Sequence, residues 1–322
     1  MSPDHDEPDH GPDGPPAAPR LDATILGVAD RLAVAGVAFG HGTDHPVDEA
    51  SWLVLHAIGL SPAEPPDHAR RLGAGELAAI DALVARRIEE RVPTAYLTGR
   101  AWFAGHELFS DARALVPRSP IAELVAERFH GLVAEDRPIR VLDLCTGGGC
   151  IAIACAHALP LARVDASDLS ADALALAAEN VALHGLGDRV RLLGGSLYDP
   201  VEGPYDLVVS NPPYVDAQDL AAMPEEYLAE PAMGLGAGAD GLDLVHGILV
   251  GAPAALAPGG VLICEVGNSA EALERAYPGL AFAWFGFAGG GDGVFALDRA
   301  ALVERFGEPG SEGEAGKKTA DP

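Results

Sequence analysis

Apolar residues recur at intervals of three and four from Leu21 to about Val92, in "LDATILGVADRLAVAG", "PVDEASWLVLHAIGL" and "GELAAIDALVARRIEERV". That period matches one face of an α-helix, and Gly and Pro clusters part the three runs. A small helical domain is predicted over residues 21–95, and substrate recognition is its expected role. The pattern then changes. "AWFAGHELFSDARALV" alternates apolar and polar residues around short turns, which predicts a β-hairpin linker. Ser119 is placed to cap the following helix, "PIAELVAERFHGLV", with Pro120 in its first turn. Hairpin and linker helix together span residues 96–138.

From Arg140 onward short apolar runs alternate with helical ones. "RVLDLC", "ARVDASD", "VRLLGG", "YDLVVSN" and "GVLICEV" read as strands. "CIAIACAHAL", "SADALALAAENVALHG", "LDLVHGILVGAPAAL" and "AEALERAYP" read as helices, and closing strands fall near "FAWFGF" and "DGVFALD". Such alternation specifies a mostly parallel sheet with helices on both faces. The expected fold class is therefore α/β, with a Rossmann-like domain over residues 139–306. Residues 1–20 and 307–322 are rich in Pro, Gly and charge and are expected to be disordered tails.

Composition narrows the function classes. The chain has 322 residues and a formal charge of −27, and its only lysines are Lys317 and Lys318. So acidic a surface repels bare nucleic acid and attracts a basic partner. No apolar run is long enough for a membrane helix, and the acidic N-terminus is unlike a signal peptide. A cytoplasmic protein is expected. Cys145, Cys150, Cys155 and Cys264 form no C-x-x-C pair, so ordinary buried thiols and no metal are expected. The acidic "HDEPDH" run near the start reads as a solvated tail.

"VLDLCTGGGCIAIA" sets Gly147, Gly148 and Gly149 between a strand and a helix. Glycines permit a tight turn and close approach to a ligand. Turns after the first strand of such sheets bind nucleotide-like ligands. Gly147, Gly149 and Ala152 also fit the relaxed dinucleotide pattern, with Asp168 at the distance of a ribose-binding acid. NAD therefore stays open on this motif alone. Asp143 before the turn and "SDLS" after the second strand pull the other way. Together they resemble the layout of S-adenosylmethionine methyltransferases.

The strand "YDLVVS" ends in Asn211, Pro212, Pro213 and Tyr214. Its carboxyl end falls in the same crevice as the glycine turn. An amide or ring amino nitrogen is planar and its lone pair is delocalised. The side-chain oxygen of Asn211 and the carbonyl of Pro212 suit its two N–H groups as acceptors. They would hold the nitrogen in line for methylation and favour its positive transition state. Tyr214 can stack on the flat group, and the prolines keep the acceptors rigid. No general base is needed. A simple turn with a packing tyrosine is the plainer reading of the stretch taken alone.

"YLTGRAWFAGHELFSDARALVPRSPIAELV", "DLCTGGGCIAIA", "DLSADALALAAEN", "SNPPYV", "EPAMGLGAGADGLDLV" and "PGGVLICEVG" together resemble the protein-glutamine methyltransferases. The resemblance spans roughly residues 22–306. "PRSPIAELV", "DLCTGGGC" and "AWFAGHEL" resemble the branch acting on large-subunit ribosomal protein three, rather than the "PRPETE"-bearing release-factor branch. The resemblance implies S-adenosylmethionine as cofactor, a basic ribosomal protein as partner, and a monomer. It implies a cofactor turn at Cys145, Thr146, Gly147, Gly148 and Gly149, with Asp143 organising it. Asp168 would hold the ribose, with Leu169 beside it, and Leu197 would pack beside adenine. Asn211, Pro212, Pro213 and Tyr214 would take the glutamine, and Asn211 would also border the cofactor. Ser196 stands where relatives commonly carry an acid, so a weaker hydrogen bond to adenine is expected there.

A release factor remains the alternative substrate. A nucleic-acid adenine methyltransferase shares the Asn-Pro-Pro-Tyr logic but needs a basic surface. Here Arg70, Arg71, Arg86, Arg87 and Arg91 sit among many acids and read as a solvated helix face. A cofactor-binding assembly factor without turnover is the non-enzymatic alternative. Phe103 and Arg118 either border the cofactor pocket or pack.

Overall fold

The protein is described by a computed structural model covering residues 18–61 and 65–308. The tails expected at 1–20 and 307–322 fall largely outside these residues, as do "HDEPDH", Lys317 and Lys318. The chain divides into two compact units, and the loop Ala38–Asp44 belongs to the second.

The first unit holds three helices, α1 (Leu21–Val34), α2 (Pro46–Ala57) and α3 (Ala74–Glu89). α1 buries Leu21, Ile25, Val28 and Leu32, one stripe at helical spacing. α2 starts with Pro46 at its first position and the His45 ring accepting from the Val47 amide. It buries Ala50, Trp52, Leu53, Val54 and Leu55, nearly its whole girth. Two charges join this core. Glu49 of α2 and Arg87 of α3 form an ion pair, each side chain at most 3 % exposed. Arg87 is therefore no surface residue, and the expectation of a solvated arginine face fails at that position. Arg87 recurs with Ile80 and Val84 on the buried stripe of α3.

The second unit opens with α4 (Thr94–Thr98), a single turn ended by Gly99 in the left-handed conformation. Strands β1 (Arg100–Phe103) and β2 (His106–Phe109) form the expected hairpin. Ala104 and Gly105 both take positive φ at its tip, the two-residue turn that suits twisted strands. The linker helix is shorter than expected. α5 runs only from Ile121 to Ala126, with Pro120 at its cap position. Arg128 and Phe129 then take positive φ, which drives the Phe129 ring into the core at 1 % exposure. Ser119 Oγ does accept from the Ile121 amide, at 3.2 Å.

Next come β3 (Arg140–Leu144), α6 (Cys150–Ala158), β4 (Arg163–Asp168), α7 (Ala171–Leu183), β5 (Val190–Gly194) and β6 (Tyr205–Ser210). The segment α8 (Ala217–Ala222) and two short 3-10 turns lead to α9 (Asp243–Ala255). The chain closes with β7 (Leu256–Glu265), α10 (Ala270–Ala276), β8 (Ala283–Trp284), β9 (Val294–Asp298) and α11 (Arg299–Phe306). The last helix was not expected. It is short, buries only Leu302, and is started by the Asp298 side chain accepting from the Ala301 amide.

The sheet runs in the order β5-β4-β3-β6-β7-β9-β8. β5, β4, β3, β6 and β7 are parallel, and β9 is antiparallel to both neighbours. Alternation along each strand feeds two cores. Val141, Val209 and Ile263 enter one, while Leu142, Val208 and Leu262 enter the other. Strand order reverses between β3 and β6, which opens a crevice at their carboxyl ends.

Candidate active site

The turn after β3 is built around Asp143. This carboxyl is fully buried, and its Oδ2 accepts from Thr146 Oγ1 at 2.6 Å and from the Ala152 amide at 3.0 Å. Burial pushes its pKa up to about 7, against the pull of those two bonds. Asp143 thus braces the turn from beneath and does not line the cavity above it. Cys145 has a positive φ, rare for a residue with a Cβ. Burial, with Asp168 and Asp143 nearby, pushes its thiol up to about 12, so it stays neutral.

Two glycines do different work. Gly147 has φ +54° and its amide donates to Asp168 Oδ2 at 2.8 Å. Gly149 has φ +85°, and a Cβ there would stand 3.3 Å from Ala177 of α7. The first lets the backbone face the crevice, and the second lets α6 pack against α7. Asp168 closes β4 and also accepts from the Ser170 amide at 2.8 Å, through its other oxygen. Each carboxylate oxygen keeps a further lone pair for a ligand hydroxyl. Beside it Leu169 is 64 % exposed, an apolar side chain left bare at the crevice.

A cavity of about 1490 Å³ occupies this crevice. Cys145, Thr146, Gly147, Gly148, Asp168, Leu169, Ser196, Leu197, Asn211, Pro212, Pro213 and Tyr214 all line it, whereas Asp143 and Gly149 do not. So residues from four separate strand ends meet in one space. Phe103 lies outside it and is 5 % exposed in the core, whereas Arg118 is on its wall.

Asn211 stands just past β6. Its Nδ2 is 3.4 Å from the Arg118 carbonyl. Its Oδ1 is buried and has no hydrogen-bond partner among the described residues. A buried acceptor without a donor is costly, about 1–3 kcal/mol. Asn211 lines the cavity, and its Oδ1 is a shielded acceptor without a donor at the cavity wall. Tyr214 is fixed from two sides. Its hydroxyl donates to Glu265 Oε1 at 2.8 Å. Gly267 lies so close that a Cβ there would stand 2.6 Å from the ring.

Sequence reasoning gave no role to Glu265 or Glu230, which hold these groups. Glu265 ends β7, and Ser119 Oγ donates to its Oε2 at 2.5 Å. Burial raises the Glu265 pKa despite those bonds. Glu230 is completely shielded at its side chain and pairs with both Arg118 nitrogens, at 2.7 and 2.6 Å. It also accepts from the Val116 amide at 2.9 Å and faces His41 Nε2 at 3.4 Å. Burial alone would raise its pKa, but His41 and Arg118 bring it down to about 2. Thus "PRSP" and "EPAMGL" are clasped to each other at the cavity wall. Only the lone acids within apolar runs could have signalled them.

The fold and this crevice define a Rossmann-like methyltransferase using S-adenosylmethionine. The model of the Methyltransferase small domain family matches residues 125–277, and that of the PrmC N-terminal domain matches residues 32–99. The ribosomal protein uL3 glutamine methyltransferase of Xanthomonas campestris pv. campestris is 50 % identical over 276 residues, covering 85 % of this chain and 89 % of that protein. The enzyme of that name from Bordetella pertussis is 46 % identical, covering 84 % and 92 %. That from Neisseria meningitidis serogroup B is 45 % identical, covering 85 % and 91 %. The chain belongs to the family of ribosomal protein uL3 glutamine methyltransferases.

Proposed function

We propose that this protein methylates the side-chain amide nitrogen of a glutamine in ribosomal protein uL3. The observation that carries the reading is the buried, unpartnered Oδ1 of Asn211, a residue that lines the cavity in a chain of this family. Bound S-adenosylmethionine supplies the electrophilic methyl group. Asn211 Oδ1 accepts one N–H of the glutamine amide, and the carbonyl of Pro212 accepts the other. Two acceptors fix the plane of the amide and turn one face of its nitrogen toward the crevice. They also stabilise the positive charge that develops as the lone pair leaves conjugation. Pro212 and Pro213 restrict the backbone, which lowers the ordering cost of this arrangement. Tyr214, held by Glu265 and Gly267, offers its ring to the flat amide. The proton is lost after transfer, so no side chain acts as a base.

The cofactor would be held by the residues around the glycine turn. The turn from Cys145 to Gly148 would receive its amino-acid end, with Gly149 shaping the turn. Asp168 would accept from the ribose hydroxyls, and Leu169 and Leu197 would pack by the adenine. Ser196 would offer its hydroxyl to the adenine edge. The enzyme works as a cytoplasmic monomer without stable nucleic-acid contacts. No described helix is long and apolar enough to cross a membrane.

The test is incubation with methyl-labelled S-adenosylmethionine and purified uL3, a release factor, or an adenine-containing oligonucleotide. Label is expected in a uL3 glutamine. Label on the release factor alone, or on the oligonucleotide, overturns the substrate.

A further inference from the structure

His106, His157 and His184 come from three different elements. His106 opens β2 directly after the hairpin turn, His157 lies in the last turn of α6, and His184 caps α7. Each is half-buried, and their candidate ligand nitrogens all lie within 4.8 Å of one another. His157 Nε2 and His184 Nδ1 are 3.1 Å apart. His184 Nε2 lies 2.8 Å from the Glu107 carbonyl, so that nitrogen carries the proton and donates it. The His184 Nδ1 lone pair is thereby aimed at His157. A ring fixed through its far N–H by a backbone carbonyl is the usual second-layer support of a metal-bound histidine.

We propose that these three histidines bind a divalent ion of the zinc class, which clamps the hairpin to the ends of α6 and α7. Two nitrogens bound at about 2.0–2.1 Å on a tetrahedral ion stand about 3.3 Å apart, close to the observed pair. The His106 ring stacks on that of His157 at 4.2 Å between centroids. The two ring planes lie only 18° apart, so their lone pairs do not converge on one point, and His106 must turn out of the stack at the hairpin tip to reach the ion. Water completes the tetrahedron. Three imidazoles without a carboxylate suit zinc, cobalt, nickel or copper, and not magnesium or calcium.

The role is structural and separate from methyl transfer. The hairpin leads at Phe109 to Asn180 of α7, whose side chain also holds the Gly148 carbonyl. A clamp at the tip thus stiffens the support of the cofactor turn from behind.

The test uses the full chain after chelator treatment, titrated with Zn²⁺ by calorimetry and with Co²⁺ by visible absorption. One site per chain is expected, with a tetrahedral Co²⁺ band. His184→Ala and His157→Ala should each weaken Zn²⁺ binding at least about tenfold and abolish the band. Zn²⁺ should raise the melting temperature of the native protein and not of the variants. Should either variant misfold by circular dichroism, His106→Asn at the hairpin tip serves instead. A native chain without a one-to-one site, or variants that bind equally well, overturns the proposal. Equal binding would assign the metal to the other histidines of this chain.

Discussion

Two buried carboxyls behind the crevice wall pull the pH profile in opposite directions. Glu230 has a folded pKa lowered to about 2, so its stabilising pairing is complete above its ordinary value of 4.5. That contribution is lost as pH falls toward 2. Asp143 has a folded pKa raised to about 7 from 3.8. The folded state therefore holds its proton longer than the unfolded chain does. Stability from that proton is complete below about pH 4 and is lost as pH rises through about 7. The Asn in Asp143→Asn can still accept from Thr146 and Ala152 but cannot ionise. It should flatten the alkaline arm, read as the difference in urea midpoint between about pH 5 and pH 8. An unchanged difference would remove Asp143 from the titration. Asn211 is the sharper case for chemistry. Asn211→Ala should lower kcat by about 10²–10³, the worth of one preorganised hydrogen-bonding group in a transition state. Circular dichroism and cofactor binding by calorimetry should report a retained fold and a retained cofactor site. Turnover near the native rate would end the proposed role. The place of the Asn-Pro-Pro-Tyr stretch in the crevice was legible because it follows a strand whose carboxyl end lies beside the glycine turn. Glu230 and Arg118, 112 residues apart, were not. A pairing over that distance leaves no periodic trace in a single chain.

At the level of elements, hydrophobic period located the main helices and strands because each buries a regular stripe. It failed where a boundary is set by something other than period. α5 ends early because Phe129 turns into the core, and α11 depends on one cap and one leucine. Asn180 shows the same limit inside a helix. Asn is a poor residue for a helix interior, since its side chain competes for backbone groups. Here it is 1 % exposed and bonds the Phe109 amide at 2.7 Å, the Phe109 carbonyl at 3.2 Å and the Gly148 carbonyl at 2.9 Å. It ties hairpin, α7 and glycine turn into one support. Asn180→Ala strands buried backbone groups and should cost about 2–4 kcal/mol in urea unfolding. Cofactor affinity should fall as well, since Gly148 loses its anchor. A loss of stability with unchanged affinity would limit Asn180 to packing. In the first unit, Glu49→Ala leaves Arg87 charged inside a core and should cost about 3–5 kcal/mol. Glu49→Ala with native-like denaturant resistance would show that the pair is not the anchor of α2 on α3.

For the whole molecule, charge adds what no single contact supplies. A formal charge of −27 exceeds what folding needs and opposes compaction by self-repulsion. It does favour encounter with a basic ribosomal protein, whose glutamine must then find a crevice lined mostly by uncharged residues, with six acids and two arginines among them. Long-range attraction and local recognition should therefore separate with salt. Raising ionic strength from about 50 to 500 mM shortens the screening length to a few ångströms. The kcat/KM for intact uL3 should fall by about tenfold or more, mostly through KM, as steering is lost. A short peptide bearing the same glutamine and no net charge meets only the crevice. Its kcat/KM should stay nearly flat over that range, because the contacts proposed for Asn211, Pro212 and Tyr214 are short-ranged. Were the intact protein as indifferent to salt as the peptide, the acidic surface would have no part in selecting the substrate. Were both to fall together, salt would be acting on the crevice itself, and Asp168, with its ligand-facing lone pairs, would be the first group to examine.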